Sequence, residues 1–127
     1  MPIIERTPQA CFDKFSTHVS KLVAATITPR YPIVPIPTAM RLTISFRERA
    51  PIAIPIETQH HGRLFFYLGQ ALEAVPEDGC FRLVTRQYWY RLQHDAPLET
   101  PSVLRWEYDK ATERNRYARH HAQFAAT

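Results

Sequence analysis

Polar and apolar positions alternate along this chain with two different periods, and each change of period marks an element. Between Pro8 and Ala25, Phe12, Phe15, Val19, Leu22 and Val23 recur at three- and four-residue spacing, with Asp13, Lys14, Ser16, Thr17 and Lys21 between them. That spacing puts one apolar stripe along a helix. Thr7 suits the cap of this helix and Pro8 its first turn, while His18 falls at the stripe's edge. The next stretch, Thr28 to Thr38, reads "TPRYPIVPIPT". Its four prolines lack the N–H groups that a helix or a central strand needs. An extended, polyproline-like connector over residues 28–38 is expected.

From Met40 the period changes to two. Met40, Leu42, Ile44 and Phe46 alternate with Arg41, Thr43, Ser45 and Arg47, the pattern of a half-buried strand. Ile52, Ile54 and Ile56 follow on one side of a second extended run, where Pro51 and Pro55 place it at a sheet edge. "TQHHG" reads as a loop. "RLFFYLGQALEAV" is rich in Leu, Ala, Gln and Glu in its second half and is stopped by "PEDG", which predicts a short second helix ending in a turn. The last third predicts a three-stranded meander. Its strands are "CFRLVTRQYWYRLQ", with a bulge around residues 85–87, then "VLRWEYD", then "RYARHHAQF". The predicted fold class is α+β: one domain over 1–127, with an antiparallel sheet of about four to five strands and an N-terminal amphipathic helix on one face.

Composition narrows the function classes. Hydrophobic residues make up 45% and charged residues 22% of 127, as in a globular domain. No apolar run is long enough to span a bilayer, so no membrane partner is expected. "MPIIERTPQA" lacks a secretory pattern and Cys11 and Cys80 match no metal or redox spacing, which points to a reduced, cytoplasmic protein. The three glycines exclude a phosphate-cradling loop. The two double histidines, His60–His61 and His120–His121, have no cysteine or carboxylate at a helpful spacing. No metal and no cofactor are therefore expected. The net charge of +4 comes from thirteen Arg and three Lys against twelve acids. Arginine presents a planar fork suited to phosphate and carboxylate, where lysine is a point charge.

Alternation divides the meander into two surfaces, because neighbouring side chains of a strand point to opposite sides. Tyr88, Tyr90 and Leu92 share one side; Gln87, Trp89, Arg91 and Gln93 share the other. Leu104, Trp106 and Tyr108 separate in the same way from Arg105 and Glu107. In the last strand His120 goes with Ala118, Ala122 and Phe124, toward the helix-covered side. His121 goes with Arg119 and Gln123, on the polar side. If the polar sides coincide, Arg91, Arg105, Glu107, Arg119, His121 and Gln123 share one surface with Trp89 among them. Guanidinium groups beside an aromatic plate suit a phosphodiester and a base. A histidine there suits proton transfer near neutral pH. An ordinary solvated sheet face with cross-strand ion pairs has the same composition.

"YWYRLQ", "LRWEYDK" and "RHHAQF" together resemble the C-terminal pattern of the TumE-like toxin family: an aromatic Y-x-Y strand, an Arg-aromatic-acid strand and a His-x-His motif. The resemblance covers residues 85–124, about a third of the chain. It implies a toxin paired with an antitoxin protein and acting on RNA or translation. It aligns Tyr88 and Tyr90 with the aromatic strand, Arg105 with Glu107 or Asp109 with the next, and His121 with the first histidine. Gln123 stands where the second histidine would be, so a two-histidine proton relay is in doubt. The expectation is a bacterial toxin-like protein that binds RNA, with cleavage by a ribonuclease-like step left open. His121 would transfer the proton, Glu107 would orient, and Arg91, Arg105, Arg119, Gln123 and Trp89 would bind. The alternative is a noncatalytic interaction module or homo-oligomeric assembly subunit using its aromatic residues and Pro-rich arm for protein contacts.

Overall fold

A computed structural model describes residues 2–46, 52–97, 99–110 and the backbone of 120–124. It contains one helix, α1 (Pro8–Thr26), and eight strands: β1 (Ile4–Glu5), β2 (Val34–Pro37), β3 (Arg41–Ser45), β4 (Ile54–Thr58), β5 (Gly62–Glu77), β6 (Cys80–Gln93), β7 (Ser102–Asp109) and β8 (His120–Phe124). All strands belong to one curled antiparallel sheet with the path β2-β3-β5-β6-β7-β8. The α+β expectation therefore holds, with more strands than the alternation revealed.

The spine is the long β5–β6 hairpin. Its turn, Asp78–Gly79, has φ of 51° and 80°, the left-handed pair that closes a two-residue hairpin. Two short strands lie end to end along each edge of this hairpin. On the β5 side, β4 pairs with Gly62–Phe66 and β3 with Gly69–Glu73. On the β6 side, β1 pairs with Phe81–Arg82 and β7 with Gln87–Gln93.

β5 overturns the predicted second helix. Leu64, Leu68 and Leu72 are buried and four residues apart, a spacing that fits a helical stripe and a strand's inner face equally. Gln70 interrupts the inner row and hides the period of two, and pairing along both edges of β5 overrides its helix propensity. The Pro-rich connector is corrected in part as well. Val34–Pro37 pairs with β3 as the outermost strand on that side. Prolines at alternate positions 35 and 37 remove N–H groups from one side of that strand only, which lets it pair inward and leaves a blunt outer edge.

α1 matches its predicted limits. The Thr7 hydroxyl accepts from the Ala10 N–H at 3.1 Å, and Pro8 opens the helix. Cys11, Phe12 and Val23 are buried against the inner face of the sheet, among Leu42, Ile44, Phe46, Ile54, Leu68, Leu72 and Ala74. The Cys11 thiol donates to the Phe81 carbonyl at 3.3 Å, tying the start of the helix to the hairpin tip. Burial pushes that thiol's pKa up, so it is a packing group and a weak nucleophile. No helix among the described residues is long and apolar enough to cross a membrane.

Candidate functional site

The outer face of the sheet, away from α1, is built by three cross-strand rows. The first runs Tyr67, Arg91, Arg105 and Gln123; the second Ser45, Gly69, Trp89, Glu107 and His121; the third Thr43, Ala71, Gln87 and Asp109. Directly opposed residues of an antiparallel pair project to the same side. The polar sides of β6 and β7 therefore coincide, and Arg91, Arg105, Glu107 and Trp89 meet on one surface. His121 and Gln123 occupy the register positions opposite Glu107 and Arg105. His120 occupies the position opposite Tyr108. Arg119 lies outside the described residues, as do the side chains of 120–124.

Two features set this face apart from a generic solvated sheet. The first is the like-charged pair Arg91–Arg105, directly opposed across β6 and β7. Like charges in opposed positions weaken a sheet. Glu107 offsets part of the repulsion through an ion pair with Arg105, Nε to Oε1, at 3.1 Å. Both partners remain about a third exposed, and such a pair stabilises by under about 1 kcal/mol. The first row thus sets two guanidinium groups in opposed positions, with the Glu107 carboxylate in the neighbouring row.

The second feature is Trp89. Its indole lies flat on the backbone of Gly69: a Cβ built there would fall inside the contact radius of indole atoms Cε2, Nε1 and Cζ2. Only glycine leaves that space. Tyr67 supports the ring from the side at a centroid distance of 6.5 Å, tilted by 32°. The ring packs over the Gly69 backbone, in the row next to the arginine pair.

Toward the other end of the face the chemistry changes. Gln87 Nε2 donates to Asp109 Oδ2 at 3.0 Å, and Arg86 Nε to Glu73 Oε2 at 2.5 Å. Arg86 is the extra residue of a bulge: Ala71 pairs with Gln87 and Leu72 with Thr85. This is the bulge expected at 85–87, and it turns Arg86 onto the outer cleft shared by Arg41, Glu73 and Asp109. The Arg86 guanidinium holds the Glu73 carboxyl below its ordinary value.

Gln93 departs from its predicted place on the polar surface. It is fully buried, and its Nε2 donates to the carbonyls of Asp95 and Pro97, at 3.1 and 2.9 Å. It therefore anchors the connection that sets the register of β7 against β6. A glutamine at a strand end followed by "HDAP" was the available signal, and alternation alone does not distinguish an anchor from a surface residue.

The inner face is an aromatic counterpart. Tyr88 stacks on Tyr90 at 5.0 Å and on Tyr108 at 5.5 Å. Burial raises the pKa of both Tyr88 and Tyr90, so these phenols stay neutral across the physiological range. His60 and His61 sit in an exposed turn, where the Thr58 hydroxyl accepts from the His61 N–H at 3.0 Å. Among the described residues no three metal-ligating side chains gather. Set against protein-family models, curated proteins and solved structures, the chain matches none.

Proposed function

We propose that this protein binds single-stranded RNA on the outer face of β6, β7 and β8, as a cytoplasmic toxin-like protein neutralised by an antitoxin protein. The observation that carries the reading is the opposed Arg91–Arg105 pair beside an indole fixed flat on Gly69. Two guanidinium groups at directly opposed positions suit the oxygens of one phosphate. The indole offers a base a stacking surface whose orientation is already fixed, so little ordering entropy opposes the contact. Glu107 orients Arg105, and Gln123 and Arg119 are the further binding residues of this reading.

His121 is the proton-transfer group of the reading in which bound RNA is also cut. The ribose 2′-oxygen bonds to phosphorus and gives its proton to the imidazole. The bond to the 5′-oxygen breaks, and that oxygen takes a proton from water. Arg91 and Arg105 stabilise the charge that builds on the phosphoryl oxygens.

The test is polarisation of a labelled single-stranded RNA, titrated with protein at several salt concentrations, with and without chelator. Binding should weaken with salt at a slope of about −0.7 per phosphate contacted. The double variant Arg91→Ala/Arg105→Ala should flatten the slope by about one to two contacts. Cleavage lost in His121→Ala, with binding kept, supports the enzymatic version. Absence of any salt-dependent RNA binding, together with self-assembly in light scattering, favours the noncatalytic interaction module.

A further inference from the structure

The inner face carries a second site, unrelated to the arginines. A cavity of about 980 Å³ opens between the C-terminal half of α1 and the sheet. At its N-terminal end the helix presses Phe12 into the core, with 2% exposure, whereas three turns later Leu22 is 53% exposed. Five large hydrophobic residues are notably exposed among those described, and three of them, Leu22, Ile27 and Trp106, line this one cavity. Apolar exposure gathered at the rim of a concavity marks a binding surface, where scattered exposure would not.

Register orders the lining from one end to the other. The Cys11 thiol meets the Phe81 carbonyl at the start of β6, so α1 sets out from the hairpin-tip end of the sheet, and Phe66, Leu68, Tyr90 and Trp106 lie on the stretches of β5, β6 and β7 farther from that tip. One step along the same strands come Gln70, Tyr88 and Tyr108, opposed in one row, then Thr85 and Lys110. On the helix His18 lies N-terminal to Leu22 and so toward this second end. The cavity thus has an apolar end and a hydrogen-bonding end. Its described lining includes the cation Lys110 and the titratable His18, and no carboxylate. Gln70 belongs here: it interrupts the apolar row Leu68–Leu72 at the point where the lining turns polar.

From this arrangement we infer that the cavity binds an amphipathic carboxylate, its hydrocarbon body between Leu22 and Trp106 and its anionic head near Lys110 and His18. The volume lies at the upper end of the range for small-molecule sites. The Tyr88 phenol borders the head and does not repel it, because burial keeps it protonated. Lys110 sits where this cavity meets the outer cleft and lines both, so its test needs a partner on the helix.

The experiment uses Trp89→Phe as background, which leaves Trp106 as the sole tryptophan. Its emission is followed during titration with decanoate, 1-decanol and decylamine, each below its micellar concentration. Saturable binding of decanoate is expected, roughly tenfold tighter than of decanol, with decylamine weakest. Adding Lys110→Met and His18→Gln should erase the preference for decanoate and keep decanol binding. Leu22→Asp, at a half-exposed helical position that tolerates charge, should weaken all three. Failure of every probe to change Trp106 emission saturably in a folded protein overturns the inference. Equal affinity for decanoate and decylamine, or a decanoate preference that survives the double variant, overturns it as well.

Discussion

The two faces of one meander carry different chemistry although they share the same strands. On β6 and β7, Tyr88, Tyr90, Trp106 and Tyr108 face inward, and Trp89, Arg91, Arg105 and Glu107 face outward. The inner face is roofed by α1 at one end and left open at the other. Among the described residues no helix covers the outer face, where register opposes Arg91 to Arg105 and Glu107 pairs with Arg105. A period of two writes both surfaces at once, so a slip of one residue would exchange them. Gln93, buried at the end of β6, holds the connection that prevents the slip.

The largest expected effect separates the closed end of the inner face from the open one. Phe12→Ala should destabilise by about 3–5 kcal/mol, because Phe12 is nearly inaccessible and its loss leaves a void. Leu22→Ala, on the same helix stripe, should change stability by less than about 0.5 kcal/mol. Urea unfolding of both variants measures the contrast, and equal losses would show that the cavity is not open.

Next in size is the outer face. Gly69→Ala forces the indole of Trp89 off the sheet and should cost about 1–3 kcal/mol. It should also shift Trp89 emission and weaken RNA binding. A variant of native stability with unchanged emission would mean that the ring is not held against Gly69. Gln93→Leu removes the buried amide that donates to the Asp95 and Pro97 carbonyls; a loss of about 0.5–1.5 kcal/mol is expected in the same unfolding assay.

The smallest effect is electrostatic. Glu73 has a depressed pKa in the folded protein, chiefly through its hydrogen bond from Arg86. Its folded form binds a proton more weakly than the unfolded chain does. The stabilisation is therefore full above the ordinary value of 4.5 and lost as pH falls through the lower folded value. Glu73→Gln should flatten the acid limb of the stability–pH curve and lower neutral stability by the same small amount, since the pair is partly exposed and screened.

Much of this was legible in the sequence. The limits and cap of α1, the inner positions of β3, the bulge at 85–87 and the two-sided split of β6 and β7 all follow from spacing and turn chemistry. β5 was illegible because buried leucines at intervals of four satisfy both periods and Gln70 masks the shorter one. The edge strands β1 and β2 were illegible because a two-residue strand and a Pro-rich one carry almost no pattern of their own; their partners make them. The cavity was illegible for another reason. Leu22 sits squarely in the apolar stripe beside the buried Val23, and its 53% exposure is visible only in the packed structure. The outer row was legible in composition, whereas the opposition of Arg91 to Arg105 depended on a register that the 94–101 connection sets.

The central claim is that alternate residues of the meander form two independent binding surfaces, and the two tryptophans report on them separately. Single-tryptophan variants Trp89→Phe and Trp106→Phe are titrated with single-stranded RNA and with decanoate while emission is followed. RNA should change the emission of Trp89 and leave that of Trp106 unchanged, and decanoate should do the reverse. Both ligands acting on the same tryptophan, or neither acting on either, would contradict it.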